Sequence, residues 1–423
     1  MRLHFRKNWI ILLLMSFCMS GYASDILYSW TRAADCPYYD KKVFGNDLYS
    51  WTKVSGTPNP TETYYVTVLN VYPMGGKVLE IGEKAFMGCY NLLSVTWGRN
   101  VLLVNDKAFY GCSSLPSIVF PQKMWFIGNL AMWGCWKLKE VTFPDSLRSI
   151  GSEAFGQCLS LKSVSFPDSL KSIGAYAFYG CTSLESVEFN HALDGIKAHT
   201  FQNCTSLKSV DIPYSVRNIK EEAFRGCKSL QTVVLPKYLS EIGVACFQGC
   251  TGLKSVTLPE SNVRMSVKDY VFDGCVSLER MELPGRVTRI GRGSFRGCTS
   301  LRTVNIPSAT ASVGDSAFCG CTALDTLYAL MDTPCETGRD AFLDISDHCV
   351  LMVPIGRTHA YRDAGWSEEV FRGGIREIGA PAGISTIKVK PSDTRYYDLE
   401  GRPVTRPEKG RIYIHDGRKV MAK

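Results

Sequence analysis

The sequence predicts a repeat solenoid, rich in β-strand with short helical turns: eleven 23-residue coils with one parallel strand each, capped at both ends. Three observations predict it. The first is a cysteine column. Cys89, Cys112, Cys135, Cys158, Cys181, Cys204, Cys227 and Cys250 stand 23 residues apart, a spacing of 25 leads to Cys275, and 23 again leads to Cys298 and Cys321. A fixed period in the range of about 20 to 50 residues marks a solenoid, propeller or array. The second is the phase of the apolar residues: a Phe stands three positions before each cysteine, with Met132 the exception, and a Leu three positions after, from Leu92 to Leu324. The third is alternation further on, as in Val164-Ser165-Phe166, usually followed by proline, as at Pro144, Pro167 and Pro213. That is the period of a half-buried strand, and proline ends it because it donates nothing to a ladder. Ile-Gly ahead of Ala-Phe then marks the return turn, with the glycine expected to take backbone angles that other residues avoid.

Residues 1–23 read as a secretory signal peptide. Arg2, Arg6 and Lys7 precede an apolar run from Trp9 to Phe17, and Gly21-Tyr22-Ala23 ends it with small residues first and last. A lipoprotein reading would use Cys18, but the bulky Phe17 stands where a small residue is expected. No later run approaches the roughly 18 apolar residues of a spanning helix, so no transmembrane segment is expected after removal of the signal. Residues 24–75 lack the repeat phrase and are rich in aromatics, among them Tyr28, Trp30, Trp51, Tyr64 and Tyr65. The first coil of a stack exposes one face of its core, so an atypical N-terminal cap is expected there. Within it, Tyr64 to Leu69 reads as a strand after a loop at Pro58-Asn59-Pro60.

Residues 76–329 form the solenoid, whose outward positions lie five and seven residues after the cysteine. The first of these is Ser or Thr in all coils but two, where Glu140 and Arg280 stand; stacked hydroxyls can bond along the ladder, so the column by itself calls for no ligand. The second, from Thr96 to Tyr328, shows no cluster that resembles a site. Residues 330–379 hold a decayed coil (Asp340-Ala341-Phe342, then Cys349 to Pro354), and His359 to Trp366 with Val370 and Phe371 reads as an amphipathic turn or helix over the open end. Residues 380–423 are a short linker and a small β tail, with strands around Tyr397, Ile412 and Val420.

The strand phrase Leu-x-x-Val-x-Phe is that of a leucine-rich repeat. Together with Ile-Gly, Ala-Phe, Gly-Cys and Ser-Leu in fixed phase over residues 76 to 329, it resembles the BspA-like leucine-rich repeat family of surface proteins. The resemblance implies a right-handed solenoid with one parallel strand per coil, about 4.8 Å from the next. It also implies adhesion to host extracellular matrix proteins and aggregation with other microbes. No residue of that activity is carried over, because the repeat phrase describes the core. The tail, with Tyr397-Asp398-Leu399-Glu400-Gly401-Arg402, resembles C-terminal sorting modules of exported proteins from Gram-negative anaerobes. This implies delivery to the outer surface of such a bacterium.

Net charge is +8, and removing the leader leaves 45 basic against 40 acidic side chains, all dispersed, so neither nucleic acid nor a membrane surface is expected as a partner. The chain has seventeen cysteines, and those of the repeat column point in parallel directions, whereas a disulfide needs its Cβ atoms turned toward each other. They are expected to be a ladder of small buried thiols. Cys36, Cys246, Cys319, Cys335 and Cys349 stand off register and are the better disulfide candidates, notably Cys335 with Cys349.

The histidines are scattered, and no metalloprotease helix, phosphate loop or nucleophile elbow occurs. Gly291-Arg292-Gly293-Ser294-Phe295-Arg296-Gly297 only imitates a dinucleotide fingerprint, its outer glycines being two repeat columns. His191 and His199 flank Asp194 in one atypical coil, which reads as a variant loop. No catalytic residue, metal or cofactor is expected. Candidate ligand contacts are the aromatics crowded toward the N-terminal end, Tyr110, Trp125, Trp133, Trp136 and Tyr179, since aromatic side chains offer large contact area at low entropic cost. The alternative is that they pack on the N-terminal cap. The expected function is a non-catalytic surface or secreted binding protein whose partner is a protein or glycan at the cell surface. The alternatives are a structural envelope scaffold and a glycan-capture accessory protein.

Overall fold

The computed structural model describes residues 80–379 apart from 91, 98–100 and 260–263, together with short segments at 28–29, 48–53, 68–73, 385–387, 396–397, 403–404, 408–409, 412–415 and 418–422. The expected signal peptide lies outside the described residues, as does most of the expected Tyr64 to Leu69 strand, although a strand is described over Val68–Pro73. The chain is a parallel β-solenoid of about 13 turns with almost no helix. The turns beyond the eleven cysteine coils come at both ends. In front, Val68–Pro73 pairs in parallel with Ser94–Thr96; behind, Val350–Val353 and Ile375–Glu377 continue the ladder from Thr326–Ala329.

The expected strands follow the repeat leucines, and through the central coils they pair without register offset: Val164 faces Val187, Val187 faces Val210, and Val210 faces Val233. Their burial alternates exposed, buried, exposed, as in Ser163–Ser165 and Ser209–Asp211. A second ladder, shorter than sequence periodicity can reveal, runs across the core from the first. It joins Glu80–Ile81, Leu103–Val104, Phe126–Ile127, Ser149–Ile150 and Ser172–Ile173, each burying its second residue. In the coil with two extra residues, the short strand Met265–Val267 pairs with Val287–Ile290 of the next coil, with a one-residue register shift between Met265 and Ser266.

Between the sheets the phenylalanines stack as rungs. Phe155, Phe178, Phe201, Phe224, Phe247, Phe272, Phe295 and Phe318 follow one another with ring centroids 5.2 to 5.7 Å apart. Where Met132 interrupts the column, Phe120 and Phe143 lean edge-on to Phe155 at 6.4 and 5.6 Å. The cysteines are buried as expected, and they also donate: Cys204 Sγ to Phe178 O at 3.3 Å, Cys227 to Phe201 at 3.3 Å and Cys250 to Phe224 at 3.1 Å, and so on along the stack. Cys335 and Cys349 are both free thiols. The expected pairing of these two is therefore not formed; Cys349 packs inside the core while Cys335 is only half-buried. Cys36 lies outside the described residues.

The Ile-Gly glycine serves a different need from the one expected. Gly128, Gly151, Gly174 and Gly243 do not have positive φ; a Cβ there would lie 2.3 to 2.5 Å from backbone atoms of the preceding coil. The left-handed positions are the residue before the column cysteine, usually glycine as at Gly180 and Gly249 but Gln157 and Asn203 in two coils, and a residue five before the cysteine that is seldom glycine, such as Lys107, Glu153, Tyr176, His199 and Glu222. At the latter, the turned backbone N–H reaches the next coil, as from Glu153 to Ala175 O at 2.8 Å. The stack ends where Phe342 meets Trp366 and Phe371, beside the helix Thr358–Asp363, whose Tyr361 is fully buried. In the tail, five short strands form a sheet in which Ile412–His415 pairs antiparallel with Arg418–Ala422.

Candidate functional site

Two outward surfaces are built by repetition. On the long-strand face, the residues five and seven after each cysteine point to solvent: Ser163, Ser186, Ser209, Thr232 and Ser255 in one column, and Ser165, Glu188, Asp211, Val234 and Thr257 in the other. Among the described residues, the hydroxyls of the first column make no hydrogen bonds along the ladder; they face water. Because neighbouring coils pair in register, any ligand laid along this face meets the same kind of group every ~4.8 Å.

The turn face carries most of the aromatic candidates. Trp133 lies over Gly156, where a Cβ would come within 2.1 Å of its ring, and so reaches past one coil to stack on Tyr179 at 6.1 Å. Trp136 is 56 % exposed beside the exposed Leu159 of the next coil, and Tyr110 is half-buried one coil ahead of Trp133. Trp125 stands apart. It precedes the short strand Phe126–Ile127 and packs on Phe126 at 5.9 Å, on the flank of the coil that carries the second ladder.

The strip continues beyond the aromatics expected from sequence. Tyr176 packs edge-on to Tyr179 at 5.9 Å and stacks on His199 at 4.1 Å. His199 Nδ1 is 3.0 Å from Gln202 Oε1, and Glu222 accepts from Gln202 Nε2 at 2.9 Å and from Arg225 Nη1 at 2.7 Å. Burial, with Glu222 and Glu153 close by, raises the Tyr176 phenol above its ordinary value. Further along, Asp273 holds Arg296 through two bonds of 2.9 Å, which raises the guanidinium further. Tyr176 and His199 were hidden in sequence because their column, five before the cysteine, is heterogeneous. His191 and His199 do not converge on Asp194: His191 stacks on Tyr214 instead, at 5.3 Å. Among the described residues no group of three or more His, Cys, Asp or Glu side chains is placed to hold a metal ion. No helix among them is long and apolar enough to cross a membrane.

A six-copy model of the BspA type leucine rich repeat region matches residues 79–208, 148–268 and 265–347. Among solved structures, the chain is similar to a leucine-rich repeat protein from Bacteroides ovatus, with 24% identity over 79% of this chain and 98% of that one and a TM-score of 0.47. It is also similar to the pneumococcal vaccine antigen PcpA, with 18% identity over 74% of this chain and 80% of that one and a TM-score of 0.49. A leucine rich cell surface protein from Faecalibacterium prausnitzii gives 24% identity, 63% and 79% coverage and a TM-score of 0.41. No curated protein sequence matches significantly.

Proposed function

The chain belongs to the BspA-type leucine-rich repeat family, and from that premise we propose that it is a non-catalytic binding protein, secreted or held at the cell surface, that adheres to host matrix proteins, glycans or other microbes. The observation that carries this reading is the long-strand face: coil after coil buries one side chain and exposes two, so the chain spends its repeats on a flat, extended surface. The groups with chemical potential are spent elsewhere. The column thiols are buried, and burial raises Cys135, Cys250 and Cys321 to about 12, far above the range in which a thiolate nucleophile forms at neutral pH.

In this reading residues 1–23 export the chain, residues 24–75 and 330–379 close the ends of the 76–329 solenoid, and residues 380–423 deliver it to the outer surface of a Gram-negative bacterium. Trp133, Trp136, Tyr179 and Tyr110 add an adhesive strip on the turn face, and Trp125 a separate contact on the flank that carries the second ladder.

An array of extracellular matrix proteins and glycans probed with the chain lacking residues 1–23 tests the proposal. Saturable binding to one class, weakened on replacing Trp133 and Trp136 together by Ala, is the expected result. Binding that survives the double replacement removes the strip from the reading, and no binding to any class leaves the envelope scaffold in its place.

A further inference from the structure

A pocket in the middle of the long-strand face carries a contact that the repeat phrase does not. Glu188 and Asp211 are the last outward residues of the neighbouring strands Ser186–Glu188 and Ser209–Asp211. Both are exposed, and neither carboxylate has a hydrogen-bond or ion-pair partner among the described residues. Like charges abreast on paired strands repel. The ladder also ends early here: pairing between these two strands stops at Val187 with Val210, whereas the steps on either side run on through Ser165 with Glu188 and Asp211 with Val234.

Where the strands part there is a cavity of about 500 Å³, bordered by both carboxylates, His191, Tyr214 and Val234. Tyr214 is 67 % exposed and Val234 64 %, large apolar surfaces left in water. Tyr214 is nonetheless propped, its ring 5.3 Å from His191 at an interplanar angle of 26°. The loop carrying His191 is fixed by Asn190, which replaces the usual proline. Its amide donates to Leu170 O at 2.9 Å and to Pro167 O, and its carbonyl accepts from Ala192 N and Leu193 N.

We propose that this pocket receives an arginine side chain presented by a partner polypeptide. A guanidinium supplies a planar fork of donors for two carboxylates and a flat cation for a tyrosine face, while its methylene stem lies over an apolar neighbour, here Val234. A lysine ammonium supplies the charge without the plane. A neutral sugar would stack on Tyr214 and leave the two carboxylates uncompensated. The chain as a whole is basic, with net charge +8, so a basic partner is not drawn by the overall field and recognition belongs to this spot.

The inference rests on the binding role proposed above and names the chemistry of one contact within it. Its test uses the full chain on a sensor surface and blocked tripeptides in solution with arginine, citrulline or lysine at the centre. Saturable arginine binding is expected, at least about tenfold weaker for citrulline and for arginine on the Glu188→Gln, Asp211→Asn double variant, as for loss of charge-assisted hydrogen bonds. The thermal midpoint of that variant is expected at or above the parent's, since repulsion is relieved. Equal binding of citrulline and arginine, or an unchanged affinity in the double variant, overturns the proposal. A neutral oligosaccharide lost on Tyr214→Ala but indifferent to the carboxylates also overturns it, in favour of a sugar. If the double variant keeps all array binding, the pocket falls and the binding role stands; if the array is blank while arginine binds as expected, the reverse holds.

Discussion

A thiol whose hydrogen is given to the carbonyl of an aromatic residue in the preceding coil is tied to its protonated form. Burial pushes Cys135, Cys250 and Cys321 to about 12 from an ordinary value near 9.0. Since the folded value lies above the unfolded one, the stability these thiols contribute is complete below about pH 9 and is lost as pH rises toward 12. Each loses about 1.4 kcal/mol per pH unit in that window. We therefore expect alkaline unfolding between pH 9 and 12, followed by circular dichroism, and a shallower pH slope in a Cys135→Ala, Cys250→Ala variant. Phe201 is a fully buried rung between Phe178 and Phe224. Its replacement by Ala is expected to cost about 3–5 kcal/mol in urea denaturation. The cysteine column was fully legible in the sequence; its bonds were not, because donor and acceptor are 26 residues apart and meet only once the coils are stacked. The Cys335 and Cys349 disulfide expected from their off-register positions failed for a related reason: position in the repeat says nothing of whether two Cβ atoms face each other.

Within one coil, the two glycine columns are distinguished by what they avoid. Gly174 has backbone of the Cys158 coil within 2.3 Å of where its Cβ would be, while Gly249 has φ +70 but only Gly226 backbone nearby, at 3.9 Å. Gly174→Ala is expected to cost about 1–3 kcal/mol through forced displacement of the preceding coil. Gly249→Ala is expected to cost about 1–2 kcal/mol through the left-handed backbone alone. Gln157 and Asn203 already occupy the Gly249 column at positive φ, so that position tolerates side chains. Urea midpoints of the two variants, with hydrogen exchange to locate the loosened coil, check both values; loosening confined to the variant's own coil for Gly174→Ala would remove the close-approach account. The long strands were legible because three alternating residues carry a period. Strands such as Ser149–Ile150 and Ser172–Ile173 were not, since two residues carry none.

For the molecule as a stack, each coil is stabilised mainly by its neighbours, and the terminal ones have a neighbour on one side only. The C-terminal end is closed by Trp366 and Phe371 against Phe342. Replacing both by Ala is expected to abolish exchange protection in the strands Val350–Val353 and Thr326–Ala329 first, while Ser186–Glu188 and Ser209–Asp211 keep theirs. Uniform loss along the chain would mean that the stack melts as one unit. At this scale the candidate surface was partly legible. The exposure of Trp136 followed from its place beside a turn, but the reach of Trp133 over Gly156 to Tyr179 depended on a missing Cβ in a different coil.

Zero offset between rungs has one more outcome. Val187 opposes Val210 as Val210 opposes Val233, so excising any single 23-residue unit from that region would bring like against like and leave both cut ends with partners they already fit. Length in such a rod is set by the number of coils, each adding a step of about 4.8 Å, as a ladder is shortened by taking out a tread.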